Sequence, residues 1–263
     1  MYAIEYQRAK SVADAAAALA RTGGKALAGG QSLVGAMKLR LANPGTVVDL
    51  SGIAELKGIK KEGDAIAIGA LTTHAEVASS AVVKQAIPAL AALAEGIGDR
   101  QVRNRGTIGG SIANNDPAAD YPAAVLALNA TVVTNKRKIA ADDFFKGMYE
   151  TALGAEEIIT AVSFPVPKKA AYVKFPNPAS RFALVGVFVA QTATAVRVAV
   201  TGASSHVHRS SALEAALAKT FTADTAKAVK IPADSLNTDL HGSAEYRAHL
   251  VSVLTARAVI AAG

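Results

Sequence analysis

The chain has no cysteine among its 263 residues. That excludes disulfides, thiolate zinc sites and any cysteine-ligated iron–sulfur cluster within it, and it fits a cytoplasmic protein. Aromatic residues are scarce, at 5%. The basic residues behind a net charge of +7 are scattered, Lys136-Arg137-Lys138 being their densest cluster. A nucleic-acid binder gathers its cations into a stripe and, for single strands, exposes aromatics. The charge therefore reads as a solvated basic surface, part of it available to cofactor phosphates or an acidic partner. The longest apolar stretch, FALVGVFVAQTATAVRVAV (182–200), is broken by Gln191, threonines and Arg197; it is a poor membrane span and a good strand pair. The N-terminus, MYAIEYQRAK, lacks an apolar core and a cleavage signal, so export is not expected.

Familiar nucleotide and hydrolase motifs are missing too. No G-x-G-x-x-G occupies the first βα turn. Gly24 to Gly29 have P-loop spacing, but Gly30-Gln31 stand where Lys-Ser/Thr belong, which disfavours nucleoside triphosphate hydrolysis. No G-x-S-x-G elbow is present, which disfavours an ordinary α/β-hydrolase.

What is present is globular material, 51% apolar and 19% charged. Ser11-Val12-Ala13-Asp14 resembles a capping box opening an alanine-rich helix that stops before Gly23-Gly24. KALAGG (25–30) reads as strand then loop, residues 31–45 have helical spacing up to Asn43-Pro44-Gly45, and TVVDLS (46–51) is a strand. The first fifty residues thus form a small βαβαβ unit. DAIAIGALTT (64–73) alternates as a strand, with Thr72 or Thr73 capping the next helix, and residues 81–96 read as one helix. Pro117 fits a first helical turn capped by Asn115 or Asp116. A hairpin at 131–140 and a strand at 156–167 follow. Residues 171–175, 183–191 and 195–203 read as a three-stranded antiparallel meander, and a helical tail begins at Ser210. Pro165-Val166-Pro167 marks the domain boundary.

Two segments share one design: AGGQS (28–32) and TIGGS (107–111) each place two glycines after apolar residues and before a hydroxyl. Glycine lets a backbone approach a ligand closely, and exposed N–H groups at such a loop favour an anion. Two such loops meeting in space would hold a diphosphate. Asp116 and Asp120, four apart, read as a helix cap and a carboxylate suited to sugar or ribityl hydroxyls. His206-x-His208 lacks an evident third metal ligand. His74, His241 and His249 read as isolated surface or capping residues.

Four segments carry a family resemblance: AGGQSLVGAMKLRLANPGTVVDLSGI, IGALTTHAEV, RNRGTIGGSIANNDPAADYPAAVLAL and YVKFPNPASRFALVGV. In order and spacing, over about residues 1–205, they resemble the FAD-binding medium subunit of molybdenum hydroxylases, the xanthine dehydrogenase and aerobic carbon monoxide dehydrogenase group. The resemblance implies an α+β fold. A PCMH-type, vanillyl-alcohol oxidase-like FAD-binding domain (1–167, in two α/β subdomains of about 1–56 and 57–167) would precede a small C-terminal domain (168–263) with a three-stranded antiparallel sheet and helices. It implies that Ala26, Leu27, Ala28, Gly29, Gly30, Gln31, Ser32 and Leu33 wrap the FAD diphosphate, with Thr107, Ile108, Gly109, Gly110 and Ser111 as the second loop. Asp120 would bind cofactor hydroxyls, Ile97 and Ile159 would pack on the cofactor, and Lys174 would approach the flavin ring. Phe182 stands where carbon monoxide dehydrogenase-like members often carry tyrosine. With Gln31 in the first loop and no histidine in either, FAD is expected to be non-covalent.

The implied role is electron transfer. A large molybdopterin subunit and a small subunit with [2Fe–2S] clusters would pass electrons to FAD here and on to an external acceptor, in a heterotrimer that is itself paired. A stand-alone FAD-dependent oxidase or dehydrogenase and a non-catalytic nucleotide-binding module are the rival readings.

Overall fold

The computed structural model describes residues 1–263. It opens with β1 (Glu5–Arg8), α1 (Val12–Thr22), β2 (Lys25–Leu27), α2 (Leu33–Lys38) and β3 (Thr46–Asp49), the strands forming a parallel sheet in the order β1-β3-β2. The Ser11 side chain accepts from Asp14 N, and Gly23 closes α1 at φ 62°. The return bond of the expected capping box is displaced by one residue, since the Asp14 carboxylate takes Lys10 N and not Ser11 N. The helix expected over 31–45 stops at Lys38 because Arg40 turns left-handed (φ 61°). Leu41 N then donates back to Ala36 O at 2.8 Å, a closure that ends a helix.

The middle of the chain builds an antiparallel sheet flanked by short helices. In order come β4 (Ile59–Glu62), β5 (Ala65–Gly69), α3 (His74–Ser79), α4 (Ala81–Ala86), α5 (Pro88–Glu95), α6 (Arg100–Arg103), α7 (Ile108–Asn114) and α8 (Tyr121–Ala127). Then follow β6 (Thr131–Thr134), β7 (Lys138–Ala140), α9 (Ala141–Phe144), β8 (Phe145–Gly147), β9 (Glu150–Thr151) and β10 (Ile159–Pro165). The five-stranded sheet runs β4-β5-β10-β6-β7. Two local expectations change. The helix expected over 81–96 divides at Ile87, because Pro88 has no N–H to continue the ladder and instead starts α5. Asn115 does not cap the following helix: at φ 45° it closes α7, and α8 begins only at Tyr121, with Pro122 in its first turn.

The last segment contains β11 (Lys169–Pro176), β12 (Ala183–Gln191), β13 (Val196–Thr201), β14 (His208–Arg209), α10 (Ser211–Lys219), α11 (Ala223–Ala228) and α12 (Ala244–Ala262). The sheet is four-stranded and antiparallel, in chain order; the expected meander of three gains β14, which pairs Arg209 with Ala199 and His208 with Val200. His208 Nδ1 shares a hydrogen bond with Ser204 Oγ at 2.8 Å, so the ring helps hold this short edge.

β12 explains why its sequence is apolar without alternation. Phe188 and Ala190 join the core of the middle segment, alongside Leu126, Ala127 and Phe144. Val185, Val187 and Val189 join a second core with Leu250, Val251 and Leu254 of α12. A strand buried on both faces needs apolar residues at every position. Buried Arg197 adds a polar tie to the middle segment, its Nε donating to Leu126 O at 2.8 Å and its Nη2 to Asp142 Oδ1 at 2.5 Å. Phe188→Ala should therefore cost about 3–5 kcal/mol and loosen the C-terminal sheet from α8. Urea unfolding measures this, and a loss below about 1 kcal/mol would show that the two segments do not share a core.

Candidate functional site

The connection from β2 to α2, Ala28 to Ser32, is set against the connection from α6 to α7. A Cβ on Gly29 would fall on Arg105 O and lie 2.9 Å from the Gly106 Cα. Only a glycine allows that backbone-to-backbone approach. Gly30 is left-handed at φ 73°. Every backbone N–H from Ala28 through Ser32 is without an acceptor in the chain; the segment's carbonyls accept, Gly29 O from Gln31 Nε2 at 3.3 Å, Gly30 O from Val34 N at 3.2 Å and Ser32 O from Ala36 N at 3.0 Å. Backbone donors that run together unengaged require water or an anion. Gln31 and Ser32 are exposed, Ala28, Gly29 and Gly30 half-buried. On either side, Ala26 is exposed and Leu27 and Leu33 are half-buried.

The second glycine segment is built differently. It is the first turn of α7, capped by Thr107, whose Oγ1 accepts from Gly110 N at 3.1 Å. Ile108 N donates to Thr72 O, Gly109 N to Ala70 O and Ser111 N to Thr107 O, at 2.9–3.1 Å. Its N–H groups are therefore mostly engaged, unlike those of the first segment. Gly109 is a packing glycine: a Cβ there would sit 2.6 Å from Ala70 Cβ and 2.7 Å from Ala70 O. Gly110 is the one that faces the first segment, with its absent Cβ 2.9 Å from Thr107 Oγ1 and 3.4 Å from Ala28 Cβ. The Ser111 side chain is half-buried, and Ile108 is buried in the core.

A cleft of about 430 Å³ brings Ala28, Gly29 and Thr107 together with Ser51, Lys57 and Arg105. Thr73 and Glu76 also border it, and they satisfy each other: Glu76 Oε2 accepts from Thr73 N at 2.7 Å and Thr73 Oγ1 at 2.8 Å. A second cleft of about 470 Å³ is lined by Gly96, Gly98, Arg103, Lys174 and Arg181. The end of α6 and the link that follows it divide the two, Arg103 lining one and Asn104 and Arg105 the other.

Asp120 and Lys174 meet beside the second cleft. Asp120 is 4% exposed. Its Oδ1 accepts from Tyr172 Oη at 2.6 Å and pairs with Lys174 Nζ at 3.0 Å. Burial pushes its pKa up, opposed by the Lys174 charge and the Tyr172 hydrogen bond. Lys174 Nζ also donates to Gly96 O at 2.9 Å and Arg181 O at 3.0 Å, so its ammonium has three partners within the chain. Ile97 is half-buried between the two glycines of this cleft, and Phe182, next to Arg181, is 46% exposed. Ile159 is buried in the core of the middle segment.

His74, read from sequence as a surface or capping residue, is buried against the site. A Cβ on Gly106 would lie 2.5 Å from its Nε2, and its ring lies 5.3 Å from that of Tyr121. Burial, and secondarily the Arg103 charge, lowers its pKa to about 4. Neither its Nδ1 nor Tyr121 Oη has a partner. The sequence offers no sign of this, because the packing neighbours Gly106 and Tyr121 belong to α7 and α8 and their flanks.

Geometry alone defines an α+β protein with an anion-receptive cleft walled by two glycine-bearing segments. Comparison with known proteins takes this further. The family described as the FAD binding domain in molybdopterin dehydrogenase matches residues 2–167. The nicotine 6-hydroxylase medium subunit of Paenarthrobacter nicotinovorans is 39% identical over 218 residues, 79% of this chain and 77% of the relative. The carbon monoxide dehydrogenase medium chain of Hydrogenophaga pseudoflava is 39% identical over 211 residues, 75% of this chain and 74% of the relative. A solved carbon monoxide dehydrogenase from Hydrogenophaga pseudoflava, which lacks the Mo-pyranopterin moiety of its cofactor, superimposes with a TM-score of 0.90 at 37% identity, covering 99% of this chain and 97% of that one. Quinoline 2-oxidoreductase from Pseudomonas putida 86 gives 0.89 at 28% identity, covering 99% and 97%. The chain belongs to the FAD-binding medium-subunit family of the molybdenum hydroxylases, and its relatives are oxidoreductase subunits. No helix is long and apolar enough to cross a membrane.

The buried histidine sets a pH response. Unfolded His74 takes up its proton near 6.5, folded His74 only near 4. Between those values the unfolded chain binds more protons, so stability falls as pH drops from 6.5 towards 4, by about 3 kcal/mol if nothing relaxes. His74→Leu should remove that part of the acid sensitivity. Urea midpoints of both proteins at pH 7 and 4.5 measure it, and parallel losses would contradict a neutral buried imidazole.

Proposed function

We propose that this chain is the flavoprotein subunit that receives electrons from [2Fe–2S] clusters of a small partner subunit onto FAD and passes them to an external acceptor. The substrate would be oxidised at a molybdenum centre in a large partner subunit. The observation that carries this reading is the run of unengaged N–H groups from Ala28 to Ser32, whose first two residues share a cleft with Thr107, in a chain of this family. The residues fit a bound dinucleotide: glycines let the two segments pack closely at the cleft, the donors suit a diphosphate, and no side chain there offers a covalent anchor. Cysteine is absent from the chain, so thiolate-held clusters belong to a partner. Two of the relatives are themselves called medium subunit and medium chain.

FAD, when bound, supplies a centre that exchanges electrons one or two at a time. The chain's own residues hold and shape its surroundings. Ala26 to Leu33 form the diphosphate cradle, with Thr107, Gly110 and Ser111 opposite; Ile108 and Gly109 support that segment from the core. Asp120, held by Tyr172 and Lys174, accepts from cofactor hydroxyls. Lys174 sets a positive charge beside the second cleft, and Ile97, Phe182 and Ile159 would supply apolar surface to the flavin. On this reading residues 1–167 form a PCMH-type FAD-binding domain (about 1–56 and 57–167) and 168–263 a closing domain. The working assembly is a cytoplasmic pair of heterotrimers.

Titration of apo-protein with FAD, followed by flavin fluorescence, tests the cofactor. Saturable one-to-one quenching is expected, weakened at least about tenfold in Gly110→Val with an unchanged circular dichroism spectrum. Failure of the native chain to bind FAD would overturn the reading. Acid precipitation should release all flavin to the supernatant, because binding is non-covalent. The electron-transfer role is tested by substrate reduction of the flavin, expected only when the molybdenum and iron–sulfur subunits are added. Reduction by substrate in this chain alone would establish a stand-alone flavoenzyme instead.

A further inference from the structure

The first cleft holds two cations that nothing in the chain neutralises. Lys57 follows the short helical turn at Ala54–Leu56, and Arg105 lies between α6 and α7; both are exposed and both line the cleft beside Ala28 and Gly29. Neither side chain has a hydrogen bond or a carboxylate within ion-pair distance, although other site cations do: Arg103 pairs with Glu95 and Lys174 with Asp120. Glu76 borders the same cleft, but Thr73 holds its carboxylate in the cap of α3. A long cationic side chain left unpaired at a cleft wall is ordinarily a solvated surface group. Here both stand beside a run of unengaged backbone donors, and the two features together ask for a ligand with more than one negative charge.

We propose that Lys57 and Arg105 are the counter-charges of the dinucleotide diphosphate, one from each wall of the cleft, and that they set the affinity for the phosphate-bearing form of the ligand over the phosphate-free one. This rests on the FAD reading above. The division of labour is physical. The N–H groups of Ala28 to Ser32 are rigidly placed by the Gly29–Arg105 backbone contact and give the diphosphate its orientation. The two side chains are flexible and exposed, so they contribute charge more than geometry, and their contribution is screened by salt. Arg105 has a double position: its carbonyl packs against Gly29 while its side chain lines the cleft, so the residue that seats the first segment also carries part of its charge.

The test uses the full chain as Lys57→Ala, Arg105→Ala and the double variant, with Arg105→Lys as the conservative control, titrated with FAD and with riboflavin at low and high salt. Each single variant should weaken FAD about three- to tenfold at low salt, the double variant more. Arg105→Lys should recover most of the loss, and the salt dependence of FAD affinity should flatten in the double variant. Riboflavin, which has no phosphate, should bind all variants as it binds the native chain. Native-like FAD affinity and salt dependence in the double variant would overturn the proposal while leaving the FAD reading in place. An equal loss for riboflavin would also overturn it, showing a general disturbance of the cleft. If the native chain itself bound no FAD, both readings would fall together.

Discussion

The site depends on one contact between two pieces of backbone, Gly29 against Arg105 and Gly106. It joins the end of a parallel strand to the link between two helices of the next segment, and so locks the three-stranded sheet to the five-stranded one. Everything near the cleft inherits its position from it. Gly30 turns left-handed just beyond it, the N–H groups from Ala28 to Ser32 are unpaired, and a Cβ on Gly110 would come within van der Waals reach of Ala28. On the far side Gly106 rests on the buried ring of His74, which rests in turn on Tyr121. A side chain at Gly29 would push these layers apart; the cost would fall on the seam as a whole, not on one loop.

A second constraint ties the C-terminal sheet to this frame. β12 shares one face with the middle core and the other with α12, while Arg197 reaches Leu126 and Asp142. Close packing on both faces leaves little freedom for the sheet to tilt. The same sheet carries Tyr172 and Lys174 to Asp120, so a carboxylate from the middle segment is held by a phenol and an ammonium from the next. The charged pair at the second cleft is thus a consequence of strand pairing, and its geometry is set by the register of β11 on β12, Lys174 opposite Gly186. Gly186 is itself required there, because a Cβ would collide with the Tyr172 hydroxyl.

The two glycine segments look equivalent in the sequence and are not equivalent in the fold. Both read as open loops around an anion. In the first, the backbone donors are unengaged. In the second, Thr107 starts a helical turn, and the donors of Ile108 and Gly109 go to Thr72 and Ala70. Local pattern cannot separate these cases, because a glycine that makes room for a ligand and a glycine that makes room for a neighbouring strand are the same residue. The charges divide the same way. Lys57 and Arg105 are ordinary members of a scattered basic set until the cleft brings them together, whereas Lys174 finds Asp120 only through the sheet.

By itself the sequence determined the periodic elements, the βαβαβ opening, the paired glycine segments, the lack of a thiolate site and the family resemblance. All of these are encoded in short-range spacing and residue type. It also contained the break at Pro88 and the left-handed stop at Asn115, but the competing helical and capping patterns concealed them. Tertiary structure alone decided which glycine segment leaves its backbone donors free and which engages them, that His74 is buried, that Asp120 is paired, and that the C-terminal sheet gains a fourth strand. Those outcomes depend on contacts between residues far apart in the chain, where burial and the pairing of backbone donors are settled only once the layers have packed.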